Sequence, residues 1–419
     1  MPASLADLTR IFGRIGLLSF GGPAAQIAMM HRELVDERRW LTEAEYLRGL
    51  SFCMMLPGPE AMQLATWAGW KQRGLAGGLI AGGLFVLPGA LVVLALAMVY
   101  ASFGTLPLVQ ALFLGVQAAV VVVVVEALLR VAKRALKGRM HWAIAVLAFA
   151  GLFLFNLPFP VIILAAGLWG ALALPRAAAP ADLPPPPAGM VAATLRTALV
   201  WAAIWLLPLG LLALAEGGIL TDIGVFFSQL AVVTFGGAYA VLAWMTQAVV
   251  QDKGWLTLPQ MIDGLGLAET TPGPLILVTE FVGYLAAHRE GGILYGIAGA
   301  LVTLWVTFVP CFLWIFAGAP WIDRLAAAPR LSAALAGITA AVVGVIANLA
   351  LWFTLHVLFD TVESLTLGPL RLVAPVWASL DALALALALA AGVMLLRLHI
   401  NLPLVLAVCA LASAGLGLI

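Results

Sequence analysis

Residues 52–62 read FCMMLPGPEAM, and residues 267–277 read LAETTPGPLIL. Proline removes a backbone N–H donor and disfavours helix in the residue before it. Two prolines around a glycine therefore end one helix and start another, and this happens twice. Pro59 and Pro274 suit the first position of the new helix, where a missing N–H is harmless. The N–H groups just inside then lack intrahelical partners. They belong to Glu60, Ala61 and Met62 in the first copy and to Leu275, Ile276 and Leu277 in the second. With the helix dipole they make a ready site for an anion. Thr270 and Thr271 place two hydroxyls beside the second break. A plain kink is the competing reading of one copy, and two copies in register weigh against it.

The register extends outward from the breaks. Phe20-Gly21-Gly22 matches Phe235-Gly236-Gly237, Trp40-Leu41-Thr42 matches Trp255-Leu256-Thr257, and Gly49-Leu50 matches Gly264-Leu265. The offset is constant, since 235 − 20, 255 − 40 and 272 − 57 all give 215. Duplicated halves are a common transporter design, with the site where the halves meet. The halves span residues 1–175 and 217–419, joined by an Ala/Pro-rich linker at 176–190 and an extra membrane helix at 191–216. Four consecutive prolines, Pro184 to Pro187, make that linker extended.

Composition fixes the solvent. Of 419 residues, 64% are hydrophobic and 10% charged, against about 25% charged in a soluble domain. Runs such as Leu84–Tyr100, Val109–Val125 and Ala382–Leu396 approach the roughly 20 residues that cross a bilayer. Nearly every segment must then be helical to satisfy its own backbone. The expected fold is an all-α, polytopic membrane protein with broken helices and about 13 membrane segments. Helices are predicted over 5–30, 42–56, 59–72, 75–102, 107–136, 141–156, 158–174, 191–215, 219–250, 257–271, 274–287, 291–317, 331–359, 375–396 and 401–418. The 13 segments count each Pro-Gly-Pro pair of pieces as one crossing, which leaves the halves inverted. Re-entrant hairpins would instead make them parallel, and the positive-inside rule finds similar numbers of exceptions either way. Met1–Arg14 does not read as a cleavable signal.

Several further side chains bear on chemistry. Gly21-Gly22 and Gly236-Gly237 interrupt apolar helices, which allows unwinding or a glycine packing seam. Arg14 lies about two turns before Gly21, and a basic group within a span faces protein or water unless it snorkels to the interface. Glu60, Glu126 and Glu280 are the acids placed at membrane depth, where desolvation favours proton exchange. The bland reading gives Glu126 to Arg130, and Glu60 and Glu280 to Lys71, Arg73, His288 or Arg289. The mixed charge run Met30–Trp40 reads as a solvated surface or an anion-gathering gate, with Trp40 and Trp255 as interface anchors. Cys53, Cys311 and Cys409 are scattered, and the five histidines are dispersed, so no metal centre, disulfide framework or other cofactor is expected. No HExxH or GxxxxGK[ST] pattern occurs, which argues against an enzyme and against direct powering by ATP. A net charge of +1 gives no argument for nucleic acid.

The stretches FGGPAAQIAMMHRELVDERRWLTEAEYLRGLSFCMMLPGPEAMQLATWAGW and VVTFGGAYAVLAWMTQAVVQDKGWLTLPQMIDGLGLAETTPGPLILVTEFVGY resemble the paired signature regions of the long, two-domain chromate ion transporters. The resemblance implies a carrier in the bacterial inner membrane that expels chromate, confers chromate resistance, draws on the proton-motive force and has oppositely oriented halves. Motif residues carry over to Phe20, Gly21, Gly22, Pro57, Gly58 and Pro59, then to Phe235, Gly236, Gly237, Pro272, Gly273 and Pro274. Basic residues near the first motif are represented by Arg14, Arg32 and Arg38, and Pro23 is replaced by Ala238 in the second copy. Implied partners are chromate or a sulfate-like oxyanion, protons as coupling ion and the lipid bilayer, and a homodimer is compatible with this scheme.

Overall fold

A Pro-Gly-Pro break can bend a helix or fold it back, and the flanking side chains decide which. In a computed structural model the chain is described at residues 3–20, 22–175, 185–215, 217–235, 238–368 and 370–417. Gly21, Gly236, Gly237 and most of the predicted linker lie outside these residues. The helices are α1 (Leu5–Leu18), α2 (Gly22–His31), α3 (Glu43–Cys53), α4 (Glu60–Phe103), α5 (Pro107–Ala135), α6 (Arg139–Phe155), α7 (Phe159–Ala173) and α8 (Met190–Ala215). There follow α9 (Ile219–Val233), α10 (Ala238–Gln247), α11 (Leu258–Thr270), α12 (Val278–Gly318), α13 (Ile322–Ala326), α14 (Pro329–Leu358), α15 (Ala382–Gly392) and α16 (Leu402–Gly417). The protein is a polytopic, predominantly helical membrane protein. Among the described residues, five stretches are long and apolar enough to cross a membrane: Glu60–Phe103, Pro107–Ala135, Met190–Ala215, Leu275–Ala326 and Pro329–Leu358.

Two of these stretches are hairpins. Gly74 in α4 and Gly292 in α12 have φ of 58° and 73°, a left-handed conformation that stops the helix. The legs then pack glycine on glycine. A Cβ on Gly69 would lie 2.2 Å from the Gly77 carbonyl oxygen, and one on Gly299 2.4 Å from that of Gly283. The first leg of α4, 60–72, is about 20 Å long, whereas the second, 75–103, exceeds a hydrocarbon core of about 30 Å.

The first Pro-Gly-Pro pair also folds back. Were α3 and the first leg of α4 collinear, Glu45 and Lys71 would stand about 39 Å apart. Instead the Lys71 ammonium donates to Glu45 over 2.8 Å, the Gln72 amide reaches the Trp40 carbonyl, and Gly49 lies against the Trp67 ring. Pro57-Gly58-Pro59 is therefore the tip of a helical hairpin, which removes the premise behind 13 crossings for this pair. The same reasoning covers α1 and α2. Arg14 and Glu33, roughly 28 Å apart on a straight helix, pair at 3.5 Å, so Phe20 lies at a second tip.

The bond from Lys71, with the Thr42 backbone N–H, holds the Glu45 carboxyl down to about 2. A depressed carboxylate stabilises the fold above its ordinary value of 4.5 and loses that contribution as pH falls towards 2. In detergent, the difference in Tm between the protein and a Glu45→Gln variant is expected to be constant from neutral pH to about 5. It then narrows steadily in more acid buffer.

Local backbone repeats with the sequence. Phe20 and Phe235 N–H groups donate to the Leu18 and Val233 carbonyls. Trp40 and Trp255 donate to Leu34 and Val249. Thr42 with Glu45 and Thr257 with Gln260 form the same reciprocal cap. Arg38 lies over the Trp40 ring and Lys253 over that of Trp255, at 5.9 and 4.8 Å.

The chain divides into two compact units, each drawing on both sequence halves. The first comprises 1–101, 177–238 and 267–329, and the second 102–176, 239–266 and 330–419. In the second unit α15 and α16 pack on α5, and α6 and α7 form the expected hairpin around Asn156, which is left-handed at φ 49°. The short helix α13 and a β-hairpin were not read from the sequence. Strands β1 (Val362–Leu367) and β2 (Leu370–Pro375) pair antiparallel, with Leu365 opposite Leu372. The span predicted from 375 accordingly begins at Ala382, where the Asp381 carboxylate accepts from the Leu383 and Ala384 N–H groups.

Candidate functional site

The tips of the two repeats are tied crosswise inside the first unit. Gly58 N–H donates to the Thr234 carbonyl at 2.8 Å, and Gly273 N–H donates to the Ser19 carbonyl at 3.0 Å. Each Pro-Gly-Pro glycine thus bonds to the residue just before the Phe-Gly-Gly of the other copy. Both acceptors are C-cap residues whose carbonyls lie past the helix end, and the Ser19 and Thr234 hydroxyls donate to the Ile15 and Leu230 carbonyls one turn back. The glycines sit at φ 119° and 92°, where an L side chain is strained.

The long legs close over these tips in matching fashion. Gly89, next to Pro88, meets the second tip so closely that a Cβ would lie 2.2 Å from the Pro272 carbonyl oxygen. Cys311, next to Pro310, meets the first tip, its sulfur 2.9 Å from a Cβ built on Gly58. Pro88 has no N–H for the Leu84 carbonyl, and Gly16 of α1 packs against that carbonyl.

Two glutamines complete the arrangement, and neither was singled out from sequence. Gln26 Nε2 donates to the Gly273 carbonyl at 2.6 Å and the Ser19 carbonyl at 3.3 Å. Gln63 Nε2 donates to the Pro57 carbonyl at 2.6 Å. Both are buried, and both leave Oε1 without a hydrogen-bond partner. The available signal was a lone amide in an apolar helix: the repeat places Val241 and Val278 at these positions.

The predicted helix starts need a small shift. Pro59 caps α4 from outside, and the first intrahelical bond runs from Gln63 N–H to the Pro59 carbonyl. The N–H groups of Ala61 and Met62 precede that bond. At the second break Pro274 is likewise the cap, and a tight 3₁₀ turn, Leu275–Leu277, uses the Leu277 N–H on the Pro274 carbonyl. Leu275 and Ile276 remain ahead of it. Thr270 and Thr271 hydroxyls donate to the Leu267 and Ala268 carbonyls, so they are engaged with their own helix.

Other predicted residues separate. Phe20 is exposed at its tip, Phe235 is half-buried, and Glu60 is the first, half-buried residue of α4. Arg14 is not at a tip. It pairs with Glu33, which is 3% exposed and also faces Arg38 at 3.4 Å. His31 meets Asp36 and Glu43, and Arg32 meets Glu37, so the charge run 30–40 is largely paired within itself and with α3. Glu126, in the second unit, pairs with Arg130 one turn on. Glu280 is 1% exposed, its Oε2 has no partner, and among the described residues no basic group lies within ion-pair distance. No cluster that could hold a metal occurs among the described residues.

Duplicated, crosswise-tied helix breaks in an apolar chain define a membrane protein with internal repeats. Comparison with known proteins places it further. The sequence model described as chromate transporter matches residues 6–171 and 221–415. The chain is 33% identical over 346 residues to a chromate transport protein of Cupriavidus metallidurans, covering 82% of this chain and 81% of that one. It is 35% identical over 373 residues to a chromate transport protein of Pseudomonas aeruginosa, covering 88% and 85%. A probable chromate transport protein of Synechococcus elongatus is 32% identical over 82% of this chain and 83% of its own. The chain belongs to the chromate transporter family. These relatives are named as transport proteins and not as enzymes. No solved structure matches the chain.

Proposed function

We propose that this protein is a secondary transporter that exports chromate across the bacterial inner membrane, driven by the proton-motive force, and so confers chromate resistance. The observation that carries the reading is the crossed pair of bonds from Gly58 to Thr234 and from Gly273 to Ser19. They hold two breaks in register, with the N–H groups of Ala61, Met62, Leu275 and Ile276 ahead of the first intrahelical bond, and such ends suit a tetrahedral dianion. Burial of the breaks by Gly89 and Cys311 fits non-helical backbone at membrane depth, which is tolerated where protein covers it.

The domain reading follows the repeats: halves at 1–175 and 217–419, with a linker and an extra helix between. The hairpins alter the argument about orientation. If the Phe235 break folds back as the Phe20 break does, the segments between Trp40 and Trp255 that cross are the second leg of α4, then α5, then α6 with α7, then α8. The α6–α7 pair returns to its own side whether it spans or re-enters, so the remaining parity is odd. Re-entrant tips are therefore consistent with inverted halves. Cysteines placed beside Trp40 and Trp255 are expected to label from opposite sides of intact cells, and labelling from one side would contradict inversion.

In everted vesicles, chromate uptake is expected to need an imposed proton gradient and to be inhibited by sulfate, a dianion of the same shape. Uptake that persists after the gradient is collapsed would sink the coupled reading. Sulfate transported in preference to chromate would reassign the cargo within the same site.

A further inference from the structure

The first leg of α12 carries a row of polar groups that the duplicated scaffold does not require. Glu280, Tyr284 and His288 recur every four residues and so share one face of the helix. Glu280 is buried with Oε2 unpartnered, and Tyr284 is fully buried with its hydroxyl unpartnered. His288, half-buried, stacks on the Tyr284 ring with centroids 5.5 Å apart. One residue further on, Arg289 and Glu290 are exposed beside the turn at Gly292. The row thus begins in the first turn after the second Pro-Gly-Pro tip and ends at the exposed end of the leg. In the first repeat the position of Glu280 falls on Ala65 or Thr66, as the offset slips from 215 to 214 towards Gly69 and Gly283, and neither is an acid, so helix packing alone does not call for one here.

Resting on the transport reading above, we propose that Glu280, Tyr284 and His288 form the proton path of the carrier. His288 exchanges protons with water at the exposed end, the Tyr284 hydroxyl relays them, and Glu280 carries the coupled proton beside the second tip. The two unpartnered buried oxygens have room in their bonding for the waters such a relay needs. Other ionisable groups around the row are few. Tyr100 of α4 approaches through its edge-to-face contact with Phe281, and Tyr295 lies against Gly291. Of the charges on α8 and α9, which pack on α12, Arg196 and Asp222 are exposed.

The test separates coupling from carriage in everted vesicles. Exchange of labelled for unlabelled chromate at equal pH moves no net proton, whereas accumulation against a gradient does. In Glu280→Gln, accumulation is expected to fall at least about tenfold while exchange stays within about twofold of the wild type. Tyr284→Phe and His288→Gln are expected to slow accumulation several-fold with exchange unchanged. Three results overturn the proposal: normal accumulation in Glu280→Gln, loss of exchange in that variant at normal membrane levels, or normal accumulation in both Tyr284→Phe and His288→Gln. A wild-type protein that neither exchanges nor accumulates chromate would overturn the transport reading itself, and the proposal with it.

Discussion

Gly58→Val and Gly273→Val are each expected to abolish chromate transport while the protein still reaches the membrane. The two effects that combine are large. An L side chain at φ 119° or 92° is strained by about 1–2 kcal/mol. The added atoms also have nowhere to go. At Gly58 a Cβ lies 2.8 Å from the Gln63 amide nitrogen and 2.9 Å from the Cys311 sulfur. At Gly273 it lies 2.9 Å from a Leu277 methyl and 3.3 Å from the Gly89 Cα. Overpacking of this kind typically adds about 1–3 kcal/mol. The tip must move, and the bonds to Thr234 or Ser19 go with it. Gly83 is the control. It lies on the same leg as Gly89 with nothing within 4 Å of a built Cβ, so Gly83→Ala is expected to transport normally.

The second large effect concerns the glutamines. Gln26→Val and Gln63→Val introduce an apolar side chain that the repeat already accepts at Val241 and Val278. Each removes the donor on a buried carbonyl, Gly273 in one case and Pro57 in the other. An unsatisfied buried carbonyl costs about 1–3 kcal/mol. Thermal unfolding in detergent should show that loss, and vesicle uptake should fall with it. Gln26→Val is expected to be the more damaging, because Gln26 alone bridges both partners of a crossed pair, Ser19 and Gly273. Unchanged transport in both variants would mean that the amides are spectators.

Much of this architecture was written in local sequence. The breaks at Pro57-Gly58-Pro59 and Pro272-Gly273-Pro274, the repeat offset and the helix ends near 72–75 and 287–291 follow from prolines, glycines and polarity. What local chemistry cannot fix is the direction taken after a break, since a missing N–H stops a helix without aiming the next one. Contacts such as Lys71 with Glu45 and Arg14 with Glu33 supply that direction, and they join residues far apart along the chain. Arg14 shows the same limit from the other side: the sequence places its charge before the first break, and only the folded chain pairs it with Glu33. The strands at 362–375 carried the signal of alternating leucines around Gly368, which is faint in a chain where leucine is everywhere. Gln26 matters through the carbonyl of a tip far along the chain and Gln63 through that of its own tip, and only the folded chain reveals those bonds.

The central claim is that the crossed tips hold the anion, and binding to purified protein in detergent tests it most directly. Titration with chromate is expected to show saturable binding that sulfate displaces, lost in both Gly58→Val and Gly273→Val and intact in Gly83→Ala. Undiminished binding in both tip variants would contradict the account.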